Sequence, residues 1–172
     1  TADTYGDTWY GVMEERLEEK GITLVANERY KRPDTSVTGQ ILKIMAANPD
    51  AVLIGAPGSP AVLPQSTLFD RNYEGTVYQT HGAAMNDFLR LGGEAVEGTI
   101  MGGSLMLVPN DISDENPSKA VALEYMQEYK NRYGEVPATF GGNVYDAGLL
   151  LQEALPVAAQ AAQPGTVEFR RA

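Results

Sequence analysis

Short apolar runs alternate with longer amphipathic stretches along residues 1–108. The run Ala51–Gly55 is apolar throughout and bounded by turn residues, which is typical of a strand covered on both faces. Ile22–Val25, Thr76–Thr80 and Thr99–Met101 also predict strands, because β-branched residues recur in them. Leu105–Val108 is a further candidate strand.

Amphipathic stretches with helical spacing fill the gaps between these runs. The predicted helices begin after a cap at Asp7 or Thr8, after Ser36, at Pro57–Pro60 with a break near Pro64, and after His81-Gly82. In the first helix the residues with helical spacing are Trp9, Val12, Met13 and Leu17. Strands that alternate with helices about every 25 residues indicate βαβ units with right-handed crossovers. The predicted fold class is therefore α/β, a parallel sheet flanked by helices.

The pattern changes after residue 108, where a polar loop leads into two helices. The first is predicted over 117–133, and the second over 142–162 with Thr139 as its cap. No predicted strand separates them, so residues 109–172 are expected to pack differently from residues 1–108.

Composition and charge exclude several classes of function. The 172 residues carry 13 basic and 23 acidic side chains, a formal net charge of −10, with no cluster of Lys and Arg. A nucleic-acid partner is therefore not expected. The absence of cysteine excludes disulfides, thiolate zinc sites and cysteine nucleophiles. No apolar run approaches the roughly 18 residues of a membrane span, and the opening residues suggest a piece of a longer polypeptide.

The candidate chemistry lies at the carboxyl ends of the predicted strands, where open parallel sheets bind ligands. This position selects Tyr5, Ser59 and His81. His81 is the only histidine, and its residue type alone leaves a structural and a functional role open. Tyr5 is likewise open between a turn position and a phenol over a cleft.

Standard catalytic motifs are missing from the sequence. The stretch 55–58 lacks the third glycine of a dinucleotide fingerprint, and Pro57 and Pro60 remove amides that would face a pyrophosphate. No carboxylate pair is placed for acid–base work. We therefore expect no catalytic residue, no metal site and no cofactor, and a binding protein rather than an enzyme.

Five segments in a fixed order carry a family resemblance. They are Ala2–Asp7, Asp34–Ser36, Asn48–Gly55, Val96–Thr99 and Tyr145–Ala147. Together they resemble the type I periplasmic binding proteins that feed branched-chain amino-acid-type ABC transporters. The resemblance implies two α/β lobes that close on a small ligand. Residues 1–108 would be the second lobe lacking its first strand, and residues 109–172 the crossover and a truncated helical part of the first lobe.

The strand that the resemblance implies before Asp3 would lie between Ile22–Val25 and Ala51–Gly55. Without it two ladders of backbone groups would be unpaired, which is costly if they are buried. We therefore expect that this slot is filled by another copy, through self-association, or that the chain is part of a longer polypeptide.

The resemblance also implies a set of ligand-binding residues. They are Tyr5 as a pocket tyrosine, Gly58 and Ser59 on the second strand-end loop, His81 and Gly82 on the third, and Phe140 at an apolar pocket position. In family members that bind free amino acids, the position of His81 is usually acidic. An imidazole cannot replace that anion but can donate to a carboxylate. We hypothesise that the ligand is an organic acid rather than a plain aliphatic amino acid. An aromatic acid is the favoured case, in which Tyr5 and Phe140 would supply stacking surface.

The implied function is a periplasmic solute-binding component of an ABC importer, with the permease as its partner. Its ligand would be an aromatic or aliphatic carboxylate or an amino acid. Two alternatives stay open at this point. One is a ligand-sensing receptor domain of the same fold, and the other is an enzyme with a Rossmann-like sheet.

Overall fold

The computed structural model describes the whole chain, Thr1 to Ala172, as two compact units. One unit is Thr1–Gly103 and the other is Ser104–Ala172. The division falls close to residue 108, where the sequence pattern changes. Among the helices of both units, none combines the length and apolarity that crossing a membrane requires.

A three-stranded parallel sheet organises the first unit. Its strands are β1 (Ala51–Ile54), β2 (Thr76–Gln79) and β3 (Ile100–Met101), in the spatial order β1-β2-β3. Helices join consecutive strands, as parallel pairing requires. The predicted fold class, a parallel sheet flanked by helices, is confirmed.

Seven α-helices surround or follow the sheet. They are α1 (Thr4–Glu19), α2 (Thr38–Ala46), α3 (Val62–Phe69), α4 (Asn86–Gly92), α5 (Ser118–Tyr133), α6 (Thr139–Ala161) and α7 (Val167–Arg171). The predicted break at Pro64 does not occur, because Pro64 lies in the first turn of α3. Amides there have no acceptor within the helix, so a proline removes no helical hydrogen bond.

The core of the first unit lies on one face of β1. Val52 and Ile54 are buried, whereas Ala51 and Leu53 are exposed. Buried residues of α2, α3 and α4 join the same cluster as Val52 and Ile54. The expectation that β1 is covered on both faces is therefore wrong, because successive side chains of a strand point to opposite faces and these helices cover only one.

The segment Ile22–Val25 is not a strand, contrary to the sequence prediction, and its apolar side chains are exposed. The amine of Thr1 donates to the Gly55 carbonyl at 2.6 Å, and the Ala2 N–H donates to the Tyr30 carbonyl at 2.7 Å. The first two residues thus lie between the end of β1 and Tyr30. The segment Ile22–Val25 pairs with none of the three strands of the sheet, so it has no ladder partner.

The second unit is helical throughout. Residues Leu105–Leu107 form a 3₁₀ turn rather than the expected strand, and the Ser104 hydroxyl accepts from the Met106 N–H. A strand there would need a partner edge that this unit does not contain. Met106 packs with Ala122 and Tyr125 in a small buried cluster. The two predicted helices are present as α5 and α6.

Candidate ligand-binding site

The start of α1 positions Tyr5 at the carboxyl edge of the sheet. Asp3 caps this helix, because its carboxylate accepts from the Gly6 N–H at 3.0 Å and from Nε of Arg32 at 2.6 Å. The pKa of the Asp3 carboxyl is held far below its usual range. The hydrogen bond from the Gly6 N–H is the larger cause, and the hydrogen bond from the Arg32 guanidinium is the next. The helix begins about one turn earlier than the sequence predicts, so Tyr5 lies within its first turn.

The phenol of Tyr5 is fixed by a buried hydroxyl at the end of β2. Its O–H donates to Oγ1 of Thr80 at 2.8 Å, and Thr80 is only 1% exposed. The Thr80 hydroxyl in turn donates to the Ala56 carbonyl at 3.4 Å, just beyond β1. The Tyr5 ring is therefore tied to the loops that follow both strands.

Two glycines allow these loops to approach each other and Tyr5. The Gly58 N–H donates to the Gly82 carbonyl at 2.8 Å, and Gly58 has a φ of +63° that favours glycine. A Cβ on Gly82 would lie 2.6 Å from the Tyr5 hydroxyl oxygen and 3.0 Å from Cα of Pro57. Ser59 follows as the exposed first residue of a 3₁₀ turn.

Three aromatic rings meet beside these loops. The ring centroids of Tyr5 and His81 are 6.2 Å apart, and the Trp9 ring lies 5.9 Å from His81 and 6.4 Å from Tyr5. We call Tyr5, Trp9 and His81 the ring cluster. His81 is exposed, while Tyr5 and Trp9 are half-buried. The cluster is accessible surface at the carboxyl ends of the strands, where ligands of parallel sheets bind.

Trp9 is the member of the ring cluster that the sequence analysis did not select as a site residue. Its helical spacing from the other apolar residues of α1 assigned it to the packing face of that helix. The available signal is its separation from Tyr5 by four residues, which places both side chains on one face of a helix.

The six predicted ligand-binding residues fall into two groups. Tyr5, Gly58, Ser59, His81 and Gly82 lie in or beside the loops at the carboxyl edge of the sheet. Phe140 belongs to the second unit, where it is the second residue of α6 and 42% exposed. A ligand contact at any of these positions stays a prediction.

A cavity of about 350 Å³ lies at the opposite end of the strands. Its walls include Gln65 of α3, together with Gly75 and Thr99, which directly precede β2 and β3. This cavity is remote from the ring cluster along the strand direction. Because open parallel sheets bind ligands outside the carboxyl ends of their strands, we assign the candidate site to that edge rather than to the cavity.

The side chains around the sheet are not arranged as a metal centre. No group of three or more His, Asp or Glu side chains in the chain could hold a metal ion. What the candidate site offers is aromatic surface, the imidazole of His81 and exposed loop positions.

Comparisons with known proteins agree with this architecture. A family model described as periplasmic binding protein matches residues 3–170. An extracellular ligand-binding receptor from Rhodopseudomonas palustris HaA2 is 44% identical with a TM-score of 0.93, covering 99% of this chain and 48% of its own. A leucine binding protein from Thermotoga maritima MSB8 is 26% identical with a TM-score of 0.76, covering 91% of this chain and 42% of its own. The search of curated proteins returned no match.

Proposed function

Because this chain belongs to the periplasmic binding protein family, we propose that it is part of an extracytoplasmic protein that binds a small solute for an ABC importer. Two similar structures, an extracellular ligand-binding receptor and a leucine binding protein, support this proposal. The chain spans about half the length of these structures. The ring cluster would therefore supply only part of the ligand contacts.

The ligand that we propose is a small organic acid, and among organic acids we favour an aromatic one. The observation that carries this proposal is the Tyr5–His81 ring pair at the carboxyl edge of the sheet. The His81 imidazole has no negative charge to pair with the ammonium group of an amino acid, but its N–H can donate to a carboxylate. The Tyr5 ring adds apolar area for a flat ligand.

We propose binding without chemical conversion. The Tyr5 hydroxyl is engaged by Thr80, so it is held as a structural group rather than offered to a reacting atom. Ligand binding would instead favour a closed state that the permease recognises.

A thermal-shift assay on the full-length protein that carries this chain tests the proposed ligand class. A ligand at 100 times its dissociation constant stabilises the folded protein by about 2.7 kcal/mol. We expect benzoate and 4-methylpentanoate to raise the melting temperature and leucine to leave it unchanged. The variant His81→Glu should lose the response to the acids, because its carboxylate repels theirs. A response of the unmodified protein to leucine alone would contradict the proposal.

We also propose that the open edge of β1 pairs with an extended strand, supplied by a second copy or by a longer polypeptide. Thr1 and Ala2 bond to Gly55 on one side and Tyr30 on the other, as one strand between two neighbours would. The Ile54 carbonyl accepts from the N–H of Thr80, which directly follows β2. Because successive residues of a strand direct their backbone groups to opposite sides, the N–H of Leu53 points to the open edge.

The variant Leu53→Pro tests the open edge, since it removes an outward N–H and leaves the β2 ladder intact. If a second copy supplies the strand, the 172-residue chain sediments as a dimer and Leu53→Pro as a monomer. If both sediment as monomers, self-association is wrong, and a monomer that circular dichroism shows to be folded would contradict the proposal. Val52→Pro is the matched control, because it removes a donor on the β2 side and destabilises the sheet itself.

A further inference from the structure

Trp9 is placed against the sheet by the same helix that carries Tyr5. The two residues are four apart in α1, so their side chains share one face. A Cβ built on Gly55 would lie 3.7 Å from Cβ of Trp9, which puts this part of α1 directly over the end of β1. The indole is therefore held at the carboxyl edge of the sheet rather than directed along the outer surface of the helix.

The polar groups of the ring cluster are used differently. The hydroxyl of Tyr5 donates to the buried Thr80, so its hydrogen-bonding capacity serves the protein. The side chain of Trp9 is half-buried rather than enclosed, so the indole reaches the surface of the site. An indole N–H can only donate. It is thus a donor that an acceptor on a bound molecule can use.

The distances in the ring cluster also suit a flat ligand. All three pairs of ring centroids lie between 5.9 and 6.4 Å, within the range of tilted and edge contacts between aromatic rings. The rings are inclined by 45° to 50° to one another, so no two of them stack face to face and cover each other's ring surface. Ring surface consequently remains for a further planar group.

We propose that Trp9 is a ligand-contacting residue that determines specificity, because its indole favours a carboxylate with a planar ring over a branched aliphatic carboxylate. This inference rests on the proposed function and adds a residue and a selection rule to it. A branched chain touches an indole face through few atoms, whereas a ring of similar size covers the face with most of its atoms. The indole N–H adds a hydrogen bond to any acceptor on the rim of that ring.

Calorimetric titration of the full-length protein with benzoate and with 4-methylpentanoate tests this rule. The variants are Trp9→Leu, which removes the ring and the donor, and Trp9→Phe, which keeps a ring and removes the donor. We expect Trp9→Leu to weaken benzoate binding about tenfold, equivalent to about 1.4 kcal/mol, and 4-methylpentanoate binding less than twofold. Trp9→Phe should fall between the unmodified protein and Trp9→Leu for benzoate.

The matched control is Tyr10→Leu, an aromatic substitution at the neighbouring position of α1. The Tyr10 hydroxyl donates to Glu14 and its ring lies under the Arg29 guanidinium, away from the ring cluster. This variant should bind both acids as the unmodified protein does. A melting curve for each variant identifies loss of folding, and Trp9→Phe provides the test if Trp9→Leu does not fold.

Three other outcomes would overturn the inference. If Trp9→Leu weakens both acids equally, Trp9 only supports the neighbouring rings and does not select the ligand. If it weakens neither, Trp9 does not contact the ligand, and in both cases the proposed function stands. If the unmodified protein binds neither acid, the proposed ligand class itself fails and the selection rule fails with it.

Discussion

The Thr1–Gly103 unit encloses a core of its own, whereas the Ser104–Ala172 unit leaves most of its large apolar side chains at the surface. The first unit buries an apolar cluster of eleven residues, and the second buries a cluster of three. Five large apolar residues of α6 are 46% to 73% exposed. They are Val144, Leu150, Leu151, Leu155 and Val157.

The difference shows which elements depend on neighbouring chain. A helix forms its backbone hydrogen bonds within itself, so α6 keeps its structure although much of its apolar surface is uncovered. A strand forms its hydrogen bonds with other strands, so Ile22–Val25 is not a strand where no neighbour lies beside it. Substitutions should accordingly be most damaging in the enclosed core and least damaging on the exposed face of α6.

The largest expected effect is at Phe88 in the first unit. Its side chain is 0% exposed, so Phe88→Ala removes buried contacts and leaves a cavity. We expect a loss of about 3–5 kcal/mol in the free energy of unfolding, measured by urea denaturation. Leu89→Ala is the control, because Leu89 is 62% exposed, and it should cost far less. Equal losses from the two variants would show that the first unit has no tightly packed core.

A smaller effect is expected at Gly82, where the first unit brings the loops of the candidate site together. In Gly82→Ala the new Cβ meets the Tyr5 hydroxyl, and the Tyr5–Thr80 hydrogen bond must shift. We expect a loss of about 1–3 kcal/mol in stability and weaker acid binding. Gly102→Ala is the control, since a Cβ there meets nothing within 4 Å. A Gly82→Ala variant with unchanged stability and binding would contradict the close packing of this edge.

A third effect is expected at the start of α1 and depends on pH. Asp3→Ala removes the cap and should cost about 1 kcal/mol at pH 7. Because the pKa of Asp3 is lower in the folded than in the unfolded chain, its charge stabilises the fold above about pH 4, the ordinary carboxyl pKa. This contribution is lost as the pH falls from there through the folded-state pKa.

Melting temperatures at pH 7 and pH 3 measure this dependence. The difference between the unmodified protein and Asp3→Ala should shrink on acidification. The control Asp3→Asn keeps a side-chain cap without a charge, so its own stability should change less with pH. A difference that stays constant down to pH 2 would mean that the Asp3 carboxylate contributes no charge-dependent stability.

The smallest effect is expected on the exposed face of α6. Leu150 is 72% exposed, so Leu150→Gln should change the stability of the 172-residue chain by less than about 0.5 kcal/mol. Urea denaturation followed by circular dichroism measures the difference. A loss above about 1 kcal/mol would show that another surface covers this face in solution, and the contrast between the two units would then disappear.

Much of the candidate site could be predicted from the sequence because strand ends are visible in it. The runs that became β1 and β2 identified the loops with Gly58, Ser59, His81 and Gly82, and the structure places these loops at one edge. Trp9 could not be selected in the same way. Apolar spacing in a helix does not distinguish a side chain that enters the core from one that reaches the end of a strand.

The sequence by itself determined the α/β class, the parallel strands and the two long helices of the second unit, because helix periodicity and turn residues act over a few positions. Only the tertiary structure decided that one face of β1 is exposed, that Ile22–Val25 has no strand partner, that Leu105–Leu107 forms a turn, and that Trp9 joins Tyr5 and His81. Each of these outcomes depends on which residues, distant in the sequence, lie beside the segment in the folded chain. Strand pairing and burial are relations between separate segments, so no local pattern contains them.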